Sequence, residues 1–388
     1  MIEGKINNIN LQKVYYGMVG GGESSFIGDV HRKAAAFDRK CIIAAGCFSR
    51  DYNNSLRTAQ SLDISPDRVY KNYLEMAEKE SKRSDKIDFV TIVTPNNSHF
   101  EIAKTFLNNG INVVCDKPLV TDLDKAYELK KIANEKDLLF CVTYSYSKYS
   151  MVKEAKEIIK RGDIGEIKLI LAEYLQDWLA EPIEKEGQKQ ASWRTDPNQS
   201  GISNCVGDIG THIEHTVSYI TGLKIKSLCA NLENIGDNRS LDTNAQILVK
   251  FDNGASGVYT VSQVAIGYQN GLKIRVFGTK GSIEWEQENP ECLAVSIINE
   301  PKKILKKGLN YLSNASLELS RVPSGHPEGY YEAFANMYSV FADAILYKKS
   351  GNTIKAFDFP NIDDGISGVK FIEKCVESSN SGSVWVNF

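Results

Sequence analysis

Asp208 and His212 stand four positions apart in the run Gly207-Asp208-Ile209-Gly210-Thr211-His212-Ile213-Glu214-His215. On a helix that spacing points both side chains the same way. An imidazole titrates close to neutral pH, so the pair can take part in proton transfer. Read with His215 and Glu214, the same run could supply metal ligands. However, His215 follows His212 by three and no further strong ligand cluster is visible in the chain. His215 therefore reads as a structural histidine, and no metal is expected. A second chemical group stands at Cys115-Asp116-Lys117-Pro118, where a lysine ends an apolar run. The proline disfavours the helical region for the residue before it, which keeps Lys117 extended at a strand tip. The ordinary alternative is a solvated surface lysine.

A third signal is glycine-rich. Val14–Val19 runs into Gly20-Gly21-Gly22-Glu23-Ser24-Ser25-Phe26-Ile27-Gly28, and a helix (Asp29–Phe37) is expected to follow. Glycines permit a tight turn and let the backbone approach a pyrophosphate at a helix N-terminus. Gly20 and Gly22 fit the dinucleotide fingerprint, whereas Ser25 takes the third position and Gly28 comes three residues later. Gly20, Gly22, Ser25, Phe26 and Ile27 are the expected cofactor contacts. The next strand ends in Phe48-Ser49-Arg50-Asp51. Ser49 and Arg50 could hold a 2′-phosphate, while Asp51 would favour a free ribose, so NAD and NADP both remain open. Thr94-Pro95-Asn96-Asn97-Ser98-His99 ends a third strand, and doubly wound sheets bind ligands at such carboxyl ends.

The elements that must position these groups divide the chain in two. Apolar strands are expected at Val14–Gly20, Cys41–Phe48, Phe89–Thr94, Ile111–Cys115 and Leu138–Thr143, with amphipathic helices such as Ser98–Asn108 and Leu123–Glu135 between them. Strands this apolar, spaced by helices, imply a parallel sheet buried on both faces. Pro66 and the polar run Glu75–Asp88 read as a loop and a solvated helix. From about residue 150 the pattern changes. A helix, Met151–Arg161, leads through Arg161-Gly162-Asp163-Ile164-Gly165 to alternating strands at Ile167–Tyr174, Lys224–Leu232, Thr243–Phe251, Ser256–Val264, Lys273–Phe277 and Ser282–Glu286. Asp252-Asn253-Gly254 and Gly278-Thr279-Lys280-Gly281 mark hairpins. Helices are expected after Gly207, over Gly329–Leu346 and near Asp363–Glu377, and Lys302–Lys307 reads as a solvated basic loop. The expected fold is α/β: a doubly wound parallel sheet over 1–145, then an α+β unit with an open, mostly antiparallel sheet over 146–388.

Composition narrows the partner. The 388 residues are 42% hydrophobic and 24% charged, which excludes a disordered chain. Lys+Arg 46 against Asp+Glu 49 leaves a net charge of −3, too balanced to displace counterions from nucleic acid or an anionic membrane. Eight scattered cysteines without a CxxC pair read as buried hydrophobes in a reducing compartment. The opening MIEGKINNINLQK has no apolar core of a signal peptide, and no run is long enough to span a bilayer, so cytoplasm is expected.

In order along the chain, GMVGGG, TPNNSH, CDKPL, RGDIGEI, GDIGTH, GTKGSIEW and GYYEAFANMY resemble the glucose–fructose oxidoreductase/inositol dehydrogenase/rhizopine-catabolism (Gfo/Idh/MocA) family. SFIGDVHR, CDKPL and SWRTDPNQSGIS are similar to its levoglucosan dehydrogenase branch. The family's acidic-Lys-Pro motif stands here as Asp116-Lys117-Pro118, which shortens the acid. The resemblance implies a Rossmann domain, a nicotinamide cofactor, a sugar, anhydrosugar or cyclitol substrate, and a Lys–Asp–His set at Lys117, Asp208 and His212. From their strand-end positions, Ser49, Arg50, Thr94, Pro95, Asn96, His99, Asp116 and Lys117 are expected cofactor contacts, and the resemblance implies a homodimer or homotetramer. Under that reading His212 is the general base, Lys117 stabilises alkoxide charge, and Asp208 holds a hydroxyl. Members differ over whether lysine or histidine is the base. Tyr146, Trp193 and Arg194 are the further substrate-side candidates, with Tyr144, Trp178 and His326 behind them. A non-catalytic NAD(P) sensor of this fold and a redox-neutral glycosidase or dehydratase are the alternatives.

Overall fold

Five strands form a parallel sheet in the order β2-β1-β3-β4-β5. They are β1 (Val14–Gly20), β2 (Cys41–Cys47), β3 (Phe89–Val93), β4 (Asn112–Cys115) and β5 (Phe140–Val142). The structure is a computed structural model that describes residues 12–23, 25–236, 239–352 and 356–388. Most of the N-terminal run read above for targeting, and Ser24 of the glycine turn, lie outside the described residues. Every residue of β3 and β5 is buried, which accounts for their nearly continuous apolar sequences. Helices Phe26–Ala36, Tyr52–Ser61, Tyr73–Ser81, His99–Asn108 and Leu123–Glu135 lie between the strands. Asp51, Asn72 and Asp122 begin three of them by accepting backbone N–H groups. The strand order reverses between β1 and β3, where such a sheet opens a crevice at its carboxyl edge.

The second sheet has nine strands in the order β13-β12-β11-β10-β6-β9-β8-β7-β14. They are β6 (Ile167–Leu175), β7 (Ile225–Glu233), β8 (Asn244–Phe251), β9 (Ser256–Ser262), β10 (Gly271–Gly278), β11 (Gly281–Glu286), β12 (Cys292–Ile297), β13 (Lys303–Lys306) and β14 (Val386–Asn387). Among the described residues of this sheet, only β6 and β9 pair in parallel. Along β8, buried residues alternate with half-buried or exposed ones, so one face of the sheet is covered and the other open. The covered face packs on helices Ser150–Arg161, Thr211–Thr221 and Ile362–Asn380 through Ile158, Ile213, Val217 and Phe371.

Several expectations shift. The first helix starts at Phe26 rather than Asp29, because Ser25 accepts the Gly28 N–H as its cap. Within the polar run Glu75–Asp88, the helix ends at Ser81, and Glu80 is fully buried against Arg68. Lys302–Lys307 is not a solvated loop. Its centre is edge strand β13, paired with β12, and Lys307 is buried between Glu291 at 3.2 Å and Glu328 at 2.9 Å. Helix Tyr330–Lys349 returns to the first sheet, where Tyr338 and Phe341 pack on Phe89.

Candidate active site

The glycine turn leaves β1 with left-handed backbone at Gly20 (φ +84°) and Gly21 (φ +76°), which glycine alone adopts without strain. A Cβ at Gly28 would lie 2.4 Å from the Cα of Gly21. Gly28, rather than Ser25, is therefore the glycine that lets the helix press on the turn. Arg32 donates from below to the Gly21 carbonyl. Phe26 is exposed and Ile27 half-buried beside the turn. At the end of β2, Ser49 Oγ accepts from the Asp51 N–H at 3.1 Å, Asp51 accepts from the Asn53 N–H, and Arg50 is exposed.

At the ends of β3 and β4, the segments that begin at Thr94 and Asp116 are joined through His99. Both ring nitrogens of buried His99 are engaged, with the Thr94 carbonyl at 2.8 Å and the Pro118 carbonyl at 2.9 Å. His99 thus braces the two loops. Asp116 accepts from Thr143 Oγ1 at 2.6 Å and from the Lys117 N–H. The Asn96 amide donates to the Ser200 carbonyl at 3.1 Å, tying this edge to the second half of the chain.

Lys117 reaches furthest. Its ammonium donates to Asp208 Oδ1 at 2.7 Å and to the Asp208 carbonyl at 2.6 Å. Asp208 sits in a π-helical turn, Val206–Gly210, that passes directly into helix Thr211–Thr221 carrying His212. Gln263 donates to Asp208 Oδ2 at 2.9 Å, and Arg194 Nε lies 3.2 Å from the same oxygen. Burial alone would raise the Asp208 carboxyl, but Arg194 and Lys117 overcome it and hold the group below the usual carboxylate range. Burial, with the Lys117 charge beside it, holds His212 well below the ordinary imidazole range. Its Nδ1 is buried without a hydrogen bond. The site therefore presents a neutral imidazole beside the Lys117–Asp208 ion pair, groups that can exchange a proton with a hydroxyl.

Aromatic rings frame this group. Tyr146 packs edge-on against His212 at 4.6 Å between centroids, and Tyr144 does so at 5.8 Å. Tyr146 and Tyr174 share a 2.6 Å hydroxyl contact, and Tyr174 donates to Asn270 Oδ1. Arg194 lies over the Trp193 ring at 4.3 Å from its centroid and over the Trp178 ring at 5.9 Å. Among the described residues no three His, Cys, Asp or Glu side chains gather as a metal site.

Comparison with known proteins gives the family. Residues 14–144 match the oxidoreductase family with an NAD-binding Rossmann fold, and 152–284 match the GFO/IDH/MocA C-terminal domain. An uncharacterised oxidoreductase of Bacillus subtilis, YfiI, is 35% identical over 378 residues, covering 96% of each chain. The chain belongs to the GFO/IDH/MocA oxidoreductases. An inositol dehydrogenase homologue from Azotobacter vinelandii complexed with NAD+ superposes with a TM-score of 0.94 at 35% identity, covering 97% of this chain and 98% of that one. A levoglucosan dehydrogenase from Pseudarthrobacter phenanthrenivorans is 28% identical over 237 residues, 55% of this chain and 59% of its own.

The residues of the GFO/IDH/MocA crevice fit a dinucleotide. The turn lies at the first helix N-terminus, a Cβ at Gly20, Gly21 or Gly22 would crowd neighbouring atoms at 2.9, 2.8 and 2.4 Å, and the ends of β1 to β4 face one edge. When bound, the nicotinamide supplies a hydride acceptor. Of the sequence candidates, Lys117, Asp208, His212, Tyr146 and Arg194 come together. Trp193 joins them through Arg194, and Tyr144 through His212. His326 is exposed, its Nδ1 beside the Pro323 carbonyl. Sequence reading missed Gln263, Tyr174 and Asn270. Gln263 follows directly on a strand whose apolar alternation hides it, and only its amide type in a buried run could have drawn notice.

Proposed function

We propose that this NAD-binding oxidoreductase oxidises a secondary hydroxyl of a neutral sugar, anhydrosugar or cyclitol with NAD or NADP. The observation that carries the reading is the meeting of Lys117 with Asp208 at 2.7 Å beside a neutral His212. His212 accepts the hydroxyl proton as the general base. Lys117 stabilises the developing alkoxide, and Asp208 orients a neighbouring hydroxyl. Lys117 and Arg194 both pair with Asp208. Tyr146, Trp193 and Arg194 form the substrate wall. Gly20, Gly22, Ser25, Phe26, Ile27, Ser49, Arg50, Thr94, Pro95, Asn96 and Asp116 line the cofactor's path.

The test is reduction of NAD+ and NADP+, followed by absorbance, with a panel that includes myo-inositol and levoglucosan. His212→Ala and Lys117→Ala are each expected to lower kcat by about 10²–10⁴-fold while NADH still binds. Full activity in either variant overturns the assignment. Assembly through the open face of the second sheet completes the reading. Leu169, Leu248 and Val258 are exposed there on adjoining strands, and light scattering should give a dimer or tetramer.

A further inference from the structure

Resting on that reading of Lys117, Asp208 and His212, we propose that Gln263 is a positioning residue that sets the Asp208 carboxylate and, through it, the Lys117 ammonium. Gln263 has no exposed surface, so it cannot touch substrate itself. Its Nε2 donates to Asp208 Oδ2 at 2.9 Å, while Lys117 takes Oδ1. Each carboxylate oxygen thus has a partner on a different element, which fixes the plane of the group.

The direction of the amide is also fixed. Gln263 Oε1 accepts from Asn204 Nδ2 at 2.7 Å, and the same Nδ2 donates to the Asp242 carbonyl at 3.2 Å. Reversing either amide would set oxygen against oxygen, at Asp208 for Gln263 and at Asp242 and Gln263 for Asn204. Asp242 is itself anchored, accepting from the N–H groups of Asn204 and Val206 and from Ser203 Oγ. A polar chain therefore runs from a buried loop to the reacting group: Asn204 donates to both Asp242 and Gln263, Gln263 donates to Asp208, and Asp208 also accepts from Lys117.

Without Gln263, the partner left for Asp208 Oδ2 is Arg194, whose Nε is close but poorly aligned for a hydrogen bond. A carboxylate freed on that side turns toward the guanidinium, where paired hydrogen bonds are available, and leaves Lys117. The reacting lysine would lose its register without any change in its own sequence surroundings.

Three variants test this with whichever panel substrate turns over. Gln263→Ala and Gln263→Met should lower kcat about 10- to 100-fold with NADH affinity close to wild type, and Ala, which leaves a cavity and an unpaired Asn204 amide N–H, should also lower Tm. Gln263→Glu places two carboxylates in contact, so they share a proton, and the protonated glutamic acid donates as the amide did. Its activity should recover toward wild type as pH falls, by up to about tenfold per pH unit, or match it throughout if the shared proton is held tightly. Recovery by Glu, with loss in Ala or Met, supports positioning, and it carries the test alone if Ala and Met do not fold. Wild-type kcat in Gln263→Ala, or a Glu variant inactive at every pH while folded, overturns it. Should nothing in the panel turn over, a crystal structure of Gln263→Ala decides: parting of Lys117 from Asp208 supports the proposal, and a retained contact refutes it. If Lys117→Ala and His212→Ala are also fully active, the site reading has failed. If those two are inactive and Gln263→Ala is not, only the positioning role has.

Discussion

Gly28 and Gly21 touch backbone to backbone: a Cβ on Gly28 would stand 2.4 Å from the Gly21 Cα and 3.0 Å from its carbonyl oxygen. Neither atom belongs to a side chain that could swing aside. Gly28→Ala must therefore push the helix off the turn, an overpacking cost of about 1–3 kcal/mol. Because the displaced atoms form the cradle for the pyrophosphate, we expect NADH affinity to fall at least about tenfold. Fluorescence titration checks this, and an unchanged Kd would refute it. Ser25→Ala removes the helix cap, so about 0.5–2 kcal/mol of stability should go.

Acid should destabilise the protein through its histidines. Burial holds His31 and His215 at about 4, against an ordinary 6.5, and His212 is depressed as well. A depressed folded value gives stability that is complete above the unfolded pKa and lost as pH falls toward the folded one. The window therefore opens near pH 6.5, and His31 and His215 contribute roughly 3 kcal/mol each when fully titrated. Glu214 opposes them. Burial raises it to about 7, so it stabilises the fold as pH drops from there toward 4.5. Glu214→Gln should steepen the fall of Tm between about pH 7 and about pH 4.5, and His215→Phe should make it shallower. Equal slopes in all three proteins would show the assignments to be wrong. His215→Phe should also keep most activity, since a phenyl ring preserves the stack on Tyr144 at 4.5 Å.

A buried ion pair in the first half gives a separate test. Arg68 reaches Glu80 at 2.5 and 3.0 Å, and Tyr70 adds a 2.8 Å hydrogen bond. Glu80 has no exposed surface, so Arg68→Met leaves its carboxylate buried without that cation and should cost about 3–5 kcal/mol. A drop in Tm of roughly 10 °C is expected, and Arg68→Met with Glu80→Leu should recover most of it. Thermal denaturation of the single and double variants decides, and additive losses would contradict the pairing.

These cases mark what the sequence makes legible. All five strands of the first sheet show in their apolar runs, because burial on both faces leaves no other composition. Lys117 shows for a local reason, a proline after a strand. The groups that orient it do not. Gln263 and Asn204 are 59 positions apart, and nothing in either neighbourhood announces their hydrogen bond. Glu80 looks solvated in a polar run because its partner lies twelve residues earlier. Strand β13 was hidden by its lysines: as an edge strand it carries charge without burying it, and only Lys307 just beyond it turns inward. Periodicity reports which face is covered, and it is silent about which distant side chain does the covering.

Long-range packing also bears on the division of the chain. Tyr338 places its hydroxyl 2.6 Å from His31 Nδ1 and 3.2 Å from Thr91 Oγ1, and its ring faces Tyr16 and Phe89. Helix Tyr330–Lys349 thus covers a face of the first sheet that residues 1–145 cannot cover themselves. Expressed alone, 1–145 should expose Tyr16, Phe89 and Val14 and aggregate, although the cofactor turn lies wholly within it. Within the full chain, Tyr338→Phe removes the two hydroxyl contacts while keeping the ring, and should cost about 1–3 kcal/mol by leaving buried His31 without that partner. Tyr338→Ala also opens a cavity, for about 3–5 kcal/mol. A soluble, NADH-binding 1–145 fragment with a cooperative melt would show that the returning helix is dispensable. If the full-length Tyr338→Ala protein then melted like wild type, the helix would have no part in holding the nucleotide fold.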